Sequence, residues 1–400
     1  MTEYANGARI AELADQARRA VSIESMADRA GVKLRRTGSE LRGSCPLCGA
    51  GQGSKSVFAV KGDKWRCYGC GLRGDVIDLV MELDGVSFME AVRRLVGRID
   101  LNAPARNAAP VRQKPEGPSA ADRVALEIWR EVKPFPGTLA ETYLRRRGIC
   151  AEVLERAGSR LRFHPNAKHS WDKRRAAWRT APAMVVQVVT PAGPTGGVHV
   201  TYLDRASAGK AVFHDDDGEA MPAKRMWGPQ VGADGARGGA WLIGPDGEGD
   251  LVVAEGIETG LSVATLSAQA GIPSRVVAAL SLLSLQGLWK RDEDNCVDPT
   301  RIEADPNVRA FSWPTPEAAP WREVLVAVDR DMGDLKVKAR TGRGKICPFL
   351  LTAEVRARLC GRLAVAAWKA AGAPRARAIA PAPGRDFNDE LRARLARGEA

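Results

Sequence analysis

Towards the C-terminus, short apolar runs alternate with longer amphipathic stretches. Leu251-Val-Val-Ala, Val276–Leu280, Leu325–Val328 and Ala376–Ala380 read as strands, and 256–270 and 353–371 read as helices between them. Short apolar strands separated by helices predict a mainly parallel sheet covered on both faces. Upstream the pattern is mixed. A helical repeat resumes near Asp122, with Val124, Leu126, Ile128 and Trp129 among charges, and strands are expected at Met184–Val189 and Gly197–Leu203. Nearer the N-terminus, Val57-Phe-Ala-Val-Lys and Lys64-Trp-Arg-Cys read as two strands, with Gly62-Asp63 as the turn. Asp75 is placed to cap a helix that ends at Gly85, and Ser87-Phe-Met-Glu90 forms a capping box for the next. From 102 to 118, Ala, Pro and Asn replace apolar residues, leaving too little to fold.

These shifts divide the 400 residues into a unit at 1–100, a linker at 101–119, a second unit at 120–245 and a third at 246–400. The fold class is α/β, in several domains. A formal charge of +12 points to a polyanionic partner such as nucleic acid. No apolar run has the length to cross a bilayer and no signal-peptide core opens the chain, so no membrane partner and a cytoplasmic location are expected.

Four of the eight cysteines are patterned: Cys45-Pro-Leu-Cys48, then eighteen residues, then Cys67-Tyr-Gly-Cys70. Zinc takes four thiolates in a tetrahedron, and two CxxC turns each aim both sulfurs at one centre. In so small a unit the metal supplies much of the folding energy. Cys150, Cys296, Cys347 and Cys360 are scattered and carry no assigned chemistry.

A second constellation is acidic. Glu255 closes the strand Leu251-Val-Val-Ala, and Asp329 closes Val324-Leu-Val-Ala-Val, with Asp331 two residues on. Alternate residues of an extended segment point the same way, and ligand sites in parallel sheets gather at the carboxyl ends of strands. Three acids there would repel without a cation, and oxygen-only ligands favour Mg2+ or Mn2+. Such ions would polarise an α-phosphate and activate a 3′-hydroxyl nucleophile.

The N-terminal stretch, from Leu41-Arg-Gly-Ser-Cys-Pro through Trp65-Arg-Cys-Tyr-Gly-Cys-Gly to Gly74-Asp-Val-Ile-Asp and Ser87-Phe-Met-Glu-Ala-Val, resembles the CHC2-type zinc-binding domain of DnaG-type primases. Cys48 stands where the cellular branch usually has His, as in phage helicase-primases. The acidic segment resembles a Toprim domain through Glu255-Gly-Ile-Glu-Thr, Asp329-Arg-Asp331-Met-Gly and Gly384-Arg-Asp386-Phe-Asn388-Asp389. Two departures stand out. Asn388 replaces a frequent Asp, and Thr259 another, for which Glu258 could partly substitute. Ala140-Glu-Thr-Tyr143-Leu-Arg-Arg-Arg147-Gly148 is similar to the start of the primase core, and Ala223-Lys224-Arg225-Met-Trp-Gly to its basic substrate loop.

The resemblance implies an N-terminal zinc ribbon, a mixed α/β primase core and a Rossmann-like Toprim sheet. It implies that Lys64 and Arg66 help contact a single-stranded DNA template, and that Lys224, Arg225 and Arg147 hold nucleotide phosphates or the primer–template backbone. Zinc would sit on Cys45, Cys48, Cys67 and Cys70; magnesium or manganese on Glu255, Asp329, Asp331 and Asp386. Arg174, Arg175 and Arg179, interleaved with Trp171 and Trp178, could form a single-strand surface or be core. The implied activity is a nucleotidyltransferase making RNA primers from NTPs for a phage, plasmid or integrated element. The Gly344-Lys345 loop lacks the phosphate-binding pattern of an ATPase, and little sequence follows Glu390, so a helicase is expected in trans. A Toprim-type nuclease or a non-catalytic zinc-ribbon DNA-binding protein are the competing readings. The stretch at 291–322 receives no assignment.

Overall fold

The computed structural model describes residues 12–47, 56–67, 73–84, 88–96, 120–172, 174–214, 218, 220–233, 235–246, 249–292, 296–306, 310–314, 321–340 and 346–398. The chain is an α/β protein built from three main sheets. The Gly344-Lys345 loop and the expected linker lie outside the described residues.

The first sheet is antiparallel, in the order β1 (Arg35–Thr37), β2 (Glu40–Gly43), β3 (Phe58–Lys61), β4 (Lys64–Cys67) and β5 (Arg73–Gly74). Phe58, Val60 and Trp65 enter a small core with α1 (Ile23–Arg29), α2 (Val76–Asp84) and α3 (Phe88–Val96). Asp75 caps α2 as its sequence predicts: Oδ1 accepts from the amides of Ile77 at 2.9 Å and Asp78 at 3.3 Å. Its carbonyl accepts from the Trp65 indole at 2.7 Å, tying helix to ribbon. The capping-box Ser87 lies outside the described residues.

The middle of the chain opens with α4 (Ala120–Arg130), α5 (Leu139–Arg146) and α6 (Ala151–Ala157). Its antiparallel sheet combines β6 (Lys133–Pro134), β7 (Arg162–Asp172), β8 (Ala177–Thr190), β9 (Gly193–Tyr202) and, past the short pair β10 (Phe213–His214) and β11 (Ala220–Met221), β12 (Lys224–Trp227). The strand expected at Met184–Val189 starts earlier, at Ala177, because Trp178 and Arg179 extend the pairing with β7.

The last sheet runs β13 (Ala240–Ile243), β15 (Ser274–Ala278), β14 (Asp250–Ala254), β16 (Val324–Ala327), β19 (Ala376–Ile379). All neighbours are parallel except β13, an antiparallel edge strand. Alternation sorts the two faces. Val252, Ala254, Val276 and Ala327 face α7 (Ile257–Gln269) in a core shared with α5, α6 and Met184 of β8. Leu251, Val253, Val277 and Val326 face the opposite layer, with α8 (Leu282–Gln286) and α9 (Ala353–Ala370).

The segment without an assignment contributes to that second layer. Phe311, Trp313 and Trp321 are buried there, with Phe311 and Trp321 edge-on to Trp368 of α9 at 5.8 and 5.3 Å. A hairpin of β17 (Leu335–Arg340) and β18 (Ile346–Leu351) leads into α9, and α10 (Phe387–Ala396) packs against α7.

Candidate active site and zinc site

Strands β14 and β16 are neighbours in parallel register, with Ala254 opposite Ala327. Glu255 and Asp329 therefore emerge at the same edge of the sheet. Below them the chain must turn into α7, and Gly256 makes that turn as its extended N-cap. The loop after Asp329 is fastened to the loop before α10: the Arg330 amide donates to the Arg385 carbonyl at 2.9 Å, and the Gly384 amide to the Arg330 carbonyl at 3.1 Å. Asp386 then caps α10, accepting from the Asp389 amide at 2.6 Å. Three segments distant in sequence thus bring Glu255, Asp329, Asp331 and Asp386 to one end of the sheet. A cleft of about 280 Å³ opens beside Asp331, lined also by Arg330, Glu354 and Gly384.

The environments of these acids differ. Asp329 is half-buried and accepts from the Thr259 hydroxyl at 2.9 Å and the Phe387 amide at 3.2 Å. Burial nevertheless pushes its pKa up to about 7, with repulsion from Asp386 and Asp331 adding to it. Glu255 is also raised by burial, against the opposing pull of Lys224. Asp331 is exposed. Among the described residues no three His, Cys, Asp or Glu side chains lie close enough to hold a metal ion. The donor set itself suits a hard divalent cation: it is all oxygen, and Asp329 sits where its charged form lacks neutralisation.

Thr259, at a position where the resemblance implies an acid, gives Asp329 a hydroxyl donor instead of another negative charge. Glu258 does not replace it at the edge. It turns into the junction with the middle unit, where its side chain is 5 % exposed. There Oε1 accepts from the Tyr143 hydroxyl at 2.7 Å and pairs with Lys210 at 3.3 Å, while Oε2 accepts from Lys224 at 2.7 Å. Burial alone would raise this carboxyl, but the two lysines and Tyr143 hold it far below the ordinary range. The same burial and the Glu258 charge push the Tyr143 hydroxyl well above its usual value. His199 adjoins this group, buried, and burial depresses it to about 4.

Lys224 therefore stands between Glu258 and the edge that carries Glu255. Arg225 takes the other face of β12: it donates to the His169 carbonyl and lies 5.5 Å from the Trp227 ring. The structure brings Lys224, but not Arg225, to the acidic edge. Arg147 also borders the Glu258 pocket; its charge acts on Tyr143 and Lys210. Asn388 is buried and fixes the backbone there, donating to the Arg147 carbonyl at 2.7 Å and the Ser262 hydroxyl at 3.0 Å. The adjoining Gly148 has φ of +86°, and a Cβ would meet the Leu395 side chain at 2.6 Å, which accounts for the Arg-Gly pair. Lys210 and its convergence with Tyr143 on Glu258 escape a reading of the sequence, because no local spacing links them.

In the ribbon, Gly43, Phe58 and Cys67 are aligned across β2, β3 and β4, which places Cys45 and Cys67 at one end of the sheet. Both are buried, and the Cys45 sulfur accepts from the Leu47 amide at 3.4 Å. That fits a metal-bound turn. Cys48 and Cys70 lie outside the described residues. Lys64 pairs with Asp75 at 3.5 Å and Arg66 with Glu40 at 3.7 Å, yet both keep more than half of their side chains exposed (60 % and 54 %).

Comparison with known proteins agrees with this architecture in its first part. Residues 10–110 match the family model described as CHC2 zinc finger, the ribbon class of DnaG. Residues 119–237 match a domain of unknown function, DUF7146. The chain is 30 % identical to a DNA primase of Haemophilus influenzae over 142 residues, covering 34 % of this chain and 23 % of that protein. It is 35 % identical to a DNA primase of Thermotoga maritima over 135 residues, 32 % of this chain and 22 % of that one. The chain thus matches under a quarter of the length of these relatives. Among solved structures, the zinc-binding and RNA polymerase domains of the Aquifex aeolicus primase align over 96 % of this chain and 83 % of that one, at 16 % identity and a TM-score of 0.34.

The N-terminal unit is accordingly a CHC2-type zinc ribbon on an α/β chain. Over that unit the chain matches the ribbon model named for DnaG, and about a third of the chain is similar to the DNA primases above. No helix among the described residues is long and apolar enough to cross a membrane.

Proposed function

We propose that this chain is a DNA primase, joining ribonucleotides on a single-stranded DNA template. The observation that carries the reading is the meeting of Glu255 and Asp329 at adjacent ends of parallel strands, on a chain that opens with a primase-type ribbon. Asp329, Asp331 and Asp386 would hold Mg2+ or Mn2+, with Glu255 as a further ligand or as the base for the 3′-hydroxyl. The bound ions supply charge neutralisation at the phosphate under attack. Lys224, held by Glu258 beside this edge, is positioned to meet triphosphate oxygens, with Arg147 behind it. Lys64 and Arg66 of the ribbon face the template. Zinc on Cys45, Cys48, Cys67 and Cys70 holds that unit folded. The enzyme acts in the cytoplasm, for a phage, plasmid or integrated element, beside a helicase supplied by another chain.

The test is primer synthesis on mixed-sequence single-stranded DNA with labelled NTPs or dNTPs and Mg2+ or Mn2+, run beside Asp329→Ala. Short products that vanish in the variant are expected. Cut template without new product would move the assignment to a Toprim-type nuclease. DNA binding with neither product would overturn catalysis by this chain alone.

A further inference from the structure

Strands β7 and β8, of 11 and 14 residues, form one long hairpin whose end is built from aromatic and basic residues. Trp171 pairs directly with Trp178, so both indoles leave the same face. The turn beyond them is fixed by Asp172, whose Oδ1 accepts from the Arg174 and Arg175 amides, each at 3.0 Å. Both arginines are exposed as a result.

The indoles continue as a ladder. Trp171 meets Trp178 edge to face at 5.8 Å, and Trp178 meets Trp227 of β12 in the same manner at 6.2 Å. Lys168 lies 5.4 Å from the Trp178 ring, and Arg225 lies 5.5 Å from Trp227. Trp178 and Trp227 rest against the core beneath α4, but Trp171 is 49 % exposed. A large indole kept half in water at the end of a structured hairpin, with arginines beside it, is not required by packing. Rings that offer stacking faces and cations that alternate with them suit bases and phosphates of an unpaired strand.

We infer that the β7–β8 hairpin end is a binding surface for single-stranded nucleic acid, with Trp171 as a stacking platform and Arg174 and Arg175 as phosphate contacts. The surface deepens the primase reading and rests on it for its biological strand, the template. It places Arg225 with the strand path instead of with the incoming nucleotide.

Binding of labelled oligodeoxythymidylate to the whole protein, followed by fluorescence anisotropy without nucleotides, tests the surface apart from catalysis. Trp171→Ala is expected to weaken binding about five- to hundredfold, while Trp171→Phe keeps most of it, because a base stacks on either ring. Arg174→Ala with Arg175→Ala should reduce the slope of log affinity against log salt by about 1.4. Thermal melts of the variants should match the parent. Unchanged affinity in Trp171→Ala overturns the surface, as does a Phe variant that binds as weakly as the Ala one. A parent that binds through Trp171 yet makes no primers would leave the surface standing and remove the primase reading. Primers from a parent whose Trp171→Ala form binds normally would do the reverse.

Discussion

Glu255 and Glu258 lie three residues apart, yet the fold drives them in opposite directions. Glu255 belongs with Asp329 at an edge where burial outruns neutralisation, so both carboxyls are pushed towards the protonated form. Glu258 is more deeply enclosed, and there two lysines and a phenol over-compensate the cost of burial. The contrast separates acids whose burial is not offset from one whose positive partners are already built in. The first kind carries charge that burial disfavours, and the second ties α7 to α5 and β12.

Substitutions can break that contrast. The largest effect is expected at Asp329. Asp329→Ala should cut primer synthesis by at least about a thousandfold, while its melting temperature stays level or rises, since a strained carboxyl is gone. A clear fall in melting temperature would show that Asp329 is structural. Glu258→Ala should behave in the opposite sense, destabilising the protein by about 2 kcal/mol in denaturant titrations. That is less than the loss for a fully buried pair, because Lys210 and Lys224 keep 39 % and 36 % of their side chains exposed. Tyr143→Phe removes one hydrogen bond to the same carboxylate and should cost about 1.5 kcal/mol.

The finest test uses pH. A carboxyl held below its ordinary range contributes stability that is complete above the unfolded pKa of 4.5 and is lost as pH falls through the lower folded value. The gap in melting temperature between the parent and Glu258→Gln should therefore be widest near neutrality and narrow progressively below about pH 4.5. A gap that stays constant down to pH 3 would mean that hydrogen bonding and shape, not charge, hold the junction.

Different kinds of signal made parts of this molecule legible in advance. Glu255 and Asp329 could be found because each ends a strand that is apolar on both faces, and adjacent parallel strands do place such ends together. The cap at Asp75 was legible because capping is local. Glu258, next to Thr259, reads from the sequence as a partial substitute at the acidic edge, and the fold turns it away from there. Its true partners come from α5, from the segment before β10 and from β12, and no periodicity connects them. Phe311 and Trp321 were unreadable for a related reason. They sit in irregular backbone, without the alternation that marks a strand, and partners distant in sequence, Trp368 and the strands β14 to β16 among them, bury them. The start of β8 is not legible because Trp178 and Arg179 look like surface chemistry more than strand.

The link from Asn388 to the Arg147 carbonyl has a consequence for the timing of synthesis. It joins residues 241 positions apart, and Leu391 belongs to the same core as Tyr143, Leu144 and Met184. Helix α10 must therefore leave the ribosome before that core can close. At ordinary elongation rates the delay is roughly ten to fifty seconds. Throughout it α5 and α6 would keep apolar surface open, in a nascent chain whose ribbon can already have taken up its metal.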